Sequence, residues 1–195
     1  MWRSTLTAIR LAALTLLIMG VLYPLAMTGF AHVVFPDKAN GSLIKSGDQV
    51  IGSKYIGQTF TRPEYFHARP SAAGGGYDAM ASGASNLGPT SADLMDRIRS
   101  SVAEVVAENP ALEAGNIPAD MVTASASGLD PDISPANAYA QVPRVAAARN
   151  LSQEEVRRLV DENTSGRDLG FLGERRVNVL ELDLALDRLN EGQPQ

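Results

Sequence analysis

Leu11–Phe35 reads LAALTLLIMGVLYPLAMTGFAHVVF, and these 25 residues decide how the rest of the chain is organised. They contain no Asp, Glu, Lys or Arg, and their only ionisable side chains are Tyr23 and His32. As a helix the stretch is about 37 Å long, against a bilayer hydrocarbon core of about 30 Å. It is predicted to be a transmembrane helix. The competing reading is a cleaved export signal, with Arg3 and Arg10 as the basic leader and Gly29-Phe30-Ala31 as a small-x-small cleavage site. The apolar run continues to Phe35, too far for the core of such a signal, which favours an uncleaved anchor. Pro24 is expected to kink the helix, and Gly20, Thr28 and Gly29 let another helix approach closely.

Charge is as uneven as hydropathy. Arg3 and Arg10 precede the span, and all 22 acidic residues follow it. The remainder of the 17 Lys and Arg residues leaves the following region with a net charge of −7. The excess of basic charge at the N-terminus predicts a cytoplasmic N-terminus for residues 1–36 and an outer location for a single domain at 37–195. That domain lacks a basic stripe, and its negative charge excludes nucleic acid as a partner. The chain has no cysteine, so the domain must close by packing alone and has no thiolate zinc site. His32 and His67 are too few and too far apart for a histidine metal cluster.

Beyond the polar exit Pro36–Gly41, Leu43-Ile44-Lys45 and Gln49-Val50-Ile51 flank Ser46-Gly47-Asp48 and predict a hairpin. Lys54–Phe60 is expected to extend that sheet before Pro63. Residues 67–90, HARPSAAGGGYDAMASGASNLGPT, predict a long irregular loop. Its Gly74-Gly75-Gly76 has no Lys-Ser/Thr sequel, so it is not a phosphate loop. Thr90-x-x-Asp93 opens a predicted helix with Leu94, Ile98, Val102 and Val105 on one face and Asn109-Pro110 at its end. Ser134-Pro135 caps a second helix over 136–149, with a bend expected at Pro143. Ser152-x-x-Glu155 caps a third, with Val156, Leu159 and Val160 inward and Gly166 past its end. Val177–Val179 reads as a short strand passing into a terminal helix through Leu189. The fold class is α+β: one transmembrane helix, then a mixed domain with strands early and helices later.

The residues alone show no catalytic constellation. There is no G-x-S-x-G elbow, and a membrane-anchored hydrolase would have to rely on His67. Asp130 and Asp132 lie in a Gly-Leu-Asp-Pro-Asp turn, and Glu181, Asp183 and Asp187 suit a solvated helix face. This leaves an accessory or binding domain.

Several long motifs are more specific. Tyr65–Ser71 (YFHARPS), Gly76-Tyr77-Asp78, Ala84–Pro89 (ASNLGP) and Pro118–Pro131 (PADMVTASASGLDP) occur in that order. Ile133-Ser134-Pro135, Gln141–Ala146 (QVPRVA) and Val177–Leu182 (VNVLEL) follow them. With the N-terminal span, this series closely resembles the C subunit of the bacterial Kdp potassium-transporting P-type ATPase, over nearly the whole chain. The resemblance implies a non-catalytic accessory subunit in the bacterial inner membrane. Its partners would be a channel-like potassium-translocating subunit, a P-type ATPase subunit that hydrolyses ATP, and a very small membrane subunit. Asp37-Lys38-Ala39 is consistent with that division, because it is not the Asp-Lys-Thr-Gly phosphorylation motif. The resemblance further implies a catalytic chaperone that raises the ATP affinity of the pump subunit, with Gln141 as the nucleotide contact. ATP would then be reached through the partner, not bound tightly. Read from the residues, Gln141 instead braces the helix ahead of Pro143. The predicted topology also sets it about 40 Å of membrane away from a cytoplasmic ATP site. The remaining expectation is an outer-face cap over the potassium entrance, with His67, Arg69 and Asn86 on its docking loop.

Overall fold

The computed structural model describes residues 2–191 and divides into two compact units with the boundary between Ser53 and Lys54. The first is dominated by one continuous helical run, Trp2–Val34, of 33 residues. It consists of α1 (Trp2–Leu17), a π turn at Ile18–Leu22, and α2 (Tyr23–Val34). The π turn has a local cause. Pro24 carries no N–H and its ring crowds the carbonyl one turn earlier, so the ladder widens just before it. Within the widened turn the Tyr23 N–H donates to Ile18 O, five residues back. The helix begins earlier than the charge-free stretch, because Arg3 and Arg10 do not interrupt helical backbone. It ends at Val34 because Phe35 precedes Pro36 and is held out of the helical region, at φ −134° and ψ 58°.

A single turn, α3 (Pro36–Ala39), follows, with proline at its first position. Strands β1 (Leu43–Ser46) and β2 (Gln49–Ser53) then pair antiparallel as expected. Gly47 takes the positive φ, 59°, that the first position of a two-residue II′ turn requires.

Lys54–Phe60 does not extend that sheet. It opens the second unit as irregular chain, and the Gly57 N–H donates to Leu129 O at 2.8 Å. A Cβ at Gly57 would fall 2.5 Å from Asp130 O, so the two backbones meet where only glycine fits. Residues 67–90 are irregular as expected, apart from one 3₁₀ turn at Ala79–Ala81. Helix α4 (Ala92–Glu108) has Leu94, Ile98, Val102 and Val105 half-buried on one face. Its N-cap is Ser91, not Thr90, and Ser91 makes no side-chain cap bond, so the expected capping box is not formed. Instead, the Ser91 N–H closes a turn onto Gly88 O at 3.0 Å.

The rest forms the packed body. It comprises α5 (Ala119–Val122), β3 (Asp132–Ile133), α6 (Pro135–Arg149), α7 (Gln153–Glu162), β4 (Thr164–Ser165), β5 (Arg176–Asn178) and α8 (Val179–Glu191). Helix α6 runs unbroken through Pro143 and ends at Asn150 in the left-handed region. The Ser134 cap and the Ser152–Glu155 capping box are both present. Strand β5 is the middle strand of a small antiparallel sheet, order β3-β5-β4. Val142, Val145, Val156, Val160, Val177, Leu182 and Leu186 meet around Phe66, and all are essentially fully buried. Phe66 therefore fastens the loop segment to the three-helix core.

Candidate functional site

Helix α6 presents one polar face inward, spaced at three and four residues: Asn137, Gln141 and Arg144. Gln141 is 2% exposed and pairs with the backbone of His67 as a neighbouring strand would. The His67 N–H donates to Gln141 Oε1 at 2.7 Å, and Gln141 Nε2 donates to His67 O at 2.9 Å. Nε2 also donates to Asn137 Oδ1 at 2.7 Å, and Arg144 Nη2 donates to Oε1 at 2.6 Å. An amide offers two donors and two acceptor positions, and here all four are engaged within the domain.

Arg144 extends the network. Its Nη1 donates to Pro63 O and Tyr65 O, and its Nε donates to Asn109 Oδ1 at 3.1 Å. One guanidinium thus joins the end of α4, the 63–67 segment and α6. Burial lowers the Arg144 pKa from its usual value, and the nearby Glu108 and Asp183 carboxylates oppose that shift. Asp120 performs the same service at the start of α6. It accepts from Ser134 N, Ser134 Oγ and Asn137 Nδ2 within 3.1 Å.

Gln141 and His67 lie beside a cleft of about 390 Å³ whose lining also includes Arg69, Ser71, Tyr77 and Glu108. His67 Nδ1 is 3.1 Å from Glu108 Oε2, and Nε2 is 3.1 Å from Arg62 O. Both ring nitrogens are therefore turned to acceptors and not to a hydroxyl nucleophile. Arg69 is ion-paired with Asp130. Its Nη1 donates to Asp130 Oδ2 at 3.0 Å, and its Nη2 lies within reach of Thr123 O and Ala124 O.

The glycine-rich loop is irregular but tightly held. Ser71 Oγ donates to Gly128 O at 2.6 Å and accepts from the Tyr77 N–H at 2.8 Å. The Tyr77 hydroxyl donates to Arg69 O at 2.6 Å, and burial, followed by the Asp130 charge, pushes the phenol up to about 12. Gly128, at φ 68°, lies so close to Ala73 that a Cβ would come within 2.6 Å of it. Asn86 lies apart from this cluster, exposed, with Nδ2 on Ala84 O. The structure thus gathers His67, Arg69 and Gln141 around one cleft and leaves Asn86 outside it.

Sequence reasoning missed Asn137, Arg144, Asp120 and Asp183. The first two carried a usable signal, since they flank Gln141 on one helix face. Asp183 carried the opposite one. It reads as a solvated acid, yet it is 3% exposed and accepts the Phe66 N–H at 2.9 Å. Burial holds its pKa well above the usual carboxylate range, against the pull of that N–H and of Arg149. Among the described residues no group of three or more His, Asp or Glu side chains is placed to hold a metal ion.

Residues 5–188 match the family model described as K+-transporting ATPase, c chain. Three relatives, each named potassium-transporting ATPase KdpC subunit, show the extent of the likeness. The protein of Koribacter versatilis is 52% identical over 187 residues, covering 96% of this chain and 95% of the relative. That of Beijerinckia indica is 58% identical over 171 residues, covering 88% and 86%. That of Myxococcus xanthus is 53% identical over 189 residues, covering 96% and 89%. A helix long and apolar enough to span a bilayer, a mixed domain behind it and a match over nearly the full length lead to one conclusion: the chain belongs to the family of the c chain, KdpC, of the K+-transporting ATPases.

Proposed function

We propose that this chain is the non-catalytic accessory subunit of an ATP-driven potassium importer. It would be anchored by Trp2–Val34 and needed to hold the channel-like and ATPase subunits together with a very small membrane subunit. The carrying observation is the helix itself. Its most apolar stretch is 0% buried against the rest of the chain, so its packing partners are lipid or other subunits. The N-terminus is cytoplasmic and the domain is outside, following Arg3 and Arg10. ATP hydrolysis belongs to the partner. The engaged state of Gln141 supports a bracing role for it, with the domain acting as an outer cap whose negative charge enriches cations at the potassium entrance.

A second reading is favoured by the 390 Å³ cleft beside Gln141 and Arg69. There the domain would take a nucleotide and raise the ATP affinity of the pump subunit. Co-isolation of the complex with and without this chain tests the first reading, and intact association in its absence would sink it. Thiol labelling of Met80→Cys and Ser91→Cys in whole cells separates the two readings. Labelling by an impermeant reagent places the domain outside, whereas protection together with ATP binding at millimolar concentration favours the nucleotide reading. Met80 is 95% exposed, and the absence of native cysteine leaves each label unambiguous.

A further inference from the structure

Strands β4 and β5 are joined by a loop whose tip inverts the ordinary rule of surface composition. Leu169, Phe171 and Leu172 are 83%, 69% and 49% exposed, three large apolar side chains within four residues. The backbone beneath them is well defined. Asp168 N–H donates to Leu172 O and Leu172 N–H to Asp168 O, both at 2.9 Å, while Gly170 N–H closes onto Arg167 O at 3.1 Å. Leu169 is held at φ 54°, a left-handed conformation that disfavours a branched side chain and that functional sites retain more often than neutral ones. Below the tip, Arg167 pairs with Glu174 at 2.8 Å, and Arg176 lies 3.4 Å from Asp132 and 3.9 Å from Asp168. The stem is rooted in β5, where Val177 is fully buried and Asn178 caps α8 through the Glu181 N–H.

Such a tip gains from burial, and being ordered in advance it loses little freedom on docking. Either a bilayer surface or a protein pocket would bury it, and the charges distinguish them. An anionic membrane selects a cationic collar. Here three arginines, Arg167, Arg175 and Arg176, face two carboxylates in the same segment, and two of the three are ion-paired. The domain around them is acidic. A fixed backbone shape is also of use against a pocket of matching form and of none against fluid lipid.

We propose that Leu169, Phe171 and Leu172 form an anchor that docks into an apolar pocket on another protein subunit of the potassium ATPase complex, ringed by the paired charges of the neck. This rests on the accessory-subunit reading. The test uses the full chain co-expressed with the other subunits. A benzophenone amino acid in place of Phe171 should give an adduct with one defined subunit. The double variant Leu169→Ser, Phe171→Ser should weaken association roughly 100-fold while leaving the chain's Tm and circular dichroism unchanged. Met80→Ser, at an equally exposed apolar site, should leave association intact. Wild-type association by the double variant, or adducts with lipid alone, would overturn the anchor while leaving the accessory role standing. Failure of the wild-type chain to co-isolate with any subunit would overturn both.

Discussion

The floor of the cleft and the tip of the β4–β5 loop are opposites. At the floor, Asn137 and Gln141, with Arg144 bonded behind them, are polar and inward, and each finds partners within the domain. At the tip, Leu169 and Phe171 are apolar and largely exposed, and Leu172 is half exposed. A buried polar group raises stability only while every partner is in place, and an exposed apolar group adds almost nothing to it. On the readings proposed above, the first region serves the fold and the second serves docking. A residue's distance from the cleft is a poor guide to which kind it is.

The contrast breaks most visibly at Gln141. Gln141→Leu keeps the volume but leaves the His67 N–H and C=O, Asn137 and Arg144 short of partners. The full chain in detergent should lose about 3–4 kcal/mol of unfolding free energy in urea. A loss below about 1 kcal/mol, together with weakened nucleotide binding, would return Gln141 to the ligand-contact role. Gly57→Ala should cost about 2–3 kcal/mol by forcing a Cβ against Asp130 O. That is a purely steric counterpart to the polar loss, measurable on the same unfolding curves.

The finest distinction concerns Asp183. Its folded pKa lies above the unfolded value, so the folded chain retains a proton that the unfolded chain releases. Stability from this group is therefore complete at low pH. It declines as pH climbs from the ordinary aspartate range through the raised folded value. Among the described residues Oδ2 has no hydrogen-bond partner, and the Oδ1 bond to Phe66 N–H can be kept by an amide. Asp183→Asn should thus raise Tm by roughly 2–4 °C at pH 8, with the gain shrinking toward pH 5. A pH-independent difference would show that Asp183 is not the titrating group.

How much of this could be read in the sequence followed the physics of each part. Caps and periodicity are local, so the Ser134 and Ser152 helix starts, the Gly47 hairpin and the strand-to-helix passage near Asn178 were all legible. The span was legible because its length and lack of charge are properties of the stretch alone. Lys54–Phe60 misled because its β-rich composition is spent on docking Gly57 against Leu129 and Asp130, a contact more than 70 residues away that no local pattern announces. Thr90 and Ser91 compete for one cap, and the turn closed by Gly88 chose between them. At the cleft, the residues suggested a bracing role for Gln141 but not its partners in space. The pairing with His67 is made in space, and so is the burial that raises the pKa of Asp183.

The π turn at Ile18–Leu22 carries a consequence for phase. An α-helix advances about 100° per residue, and a π turn absorbs one residue beyond the α count. Faces drawn by counting threes and fours from Arg10 therefore go out of step by about one residue once past Leu22. Gly20, inside the widened turn, and Gly29, beyond it, belong to two different wheels. A subunit that lies along this helix would meet two seams, joined at the π turn by a step in azimuth, and a single continuous stripe of contact residues would be the wrong pattern to seek.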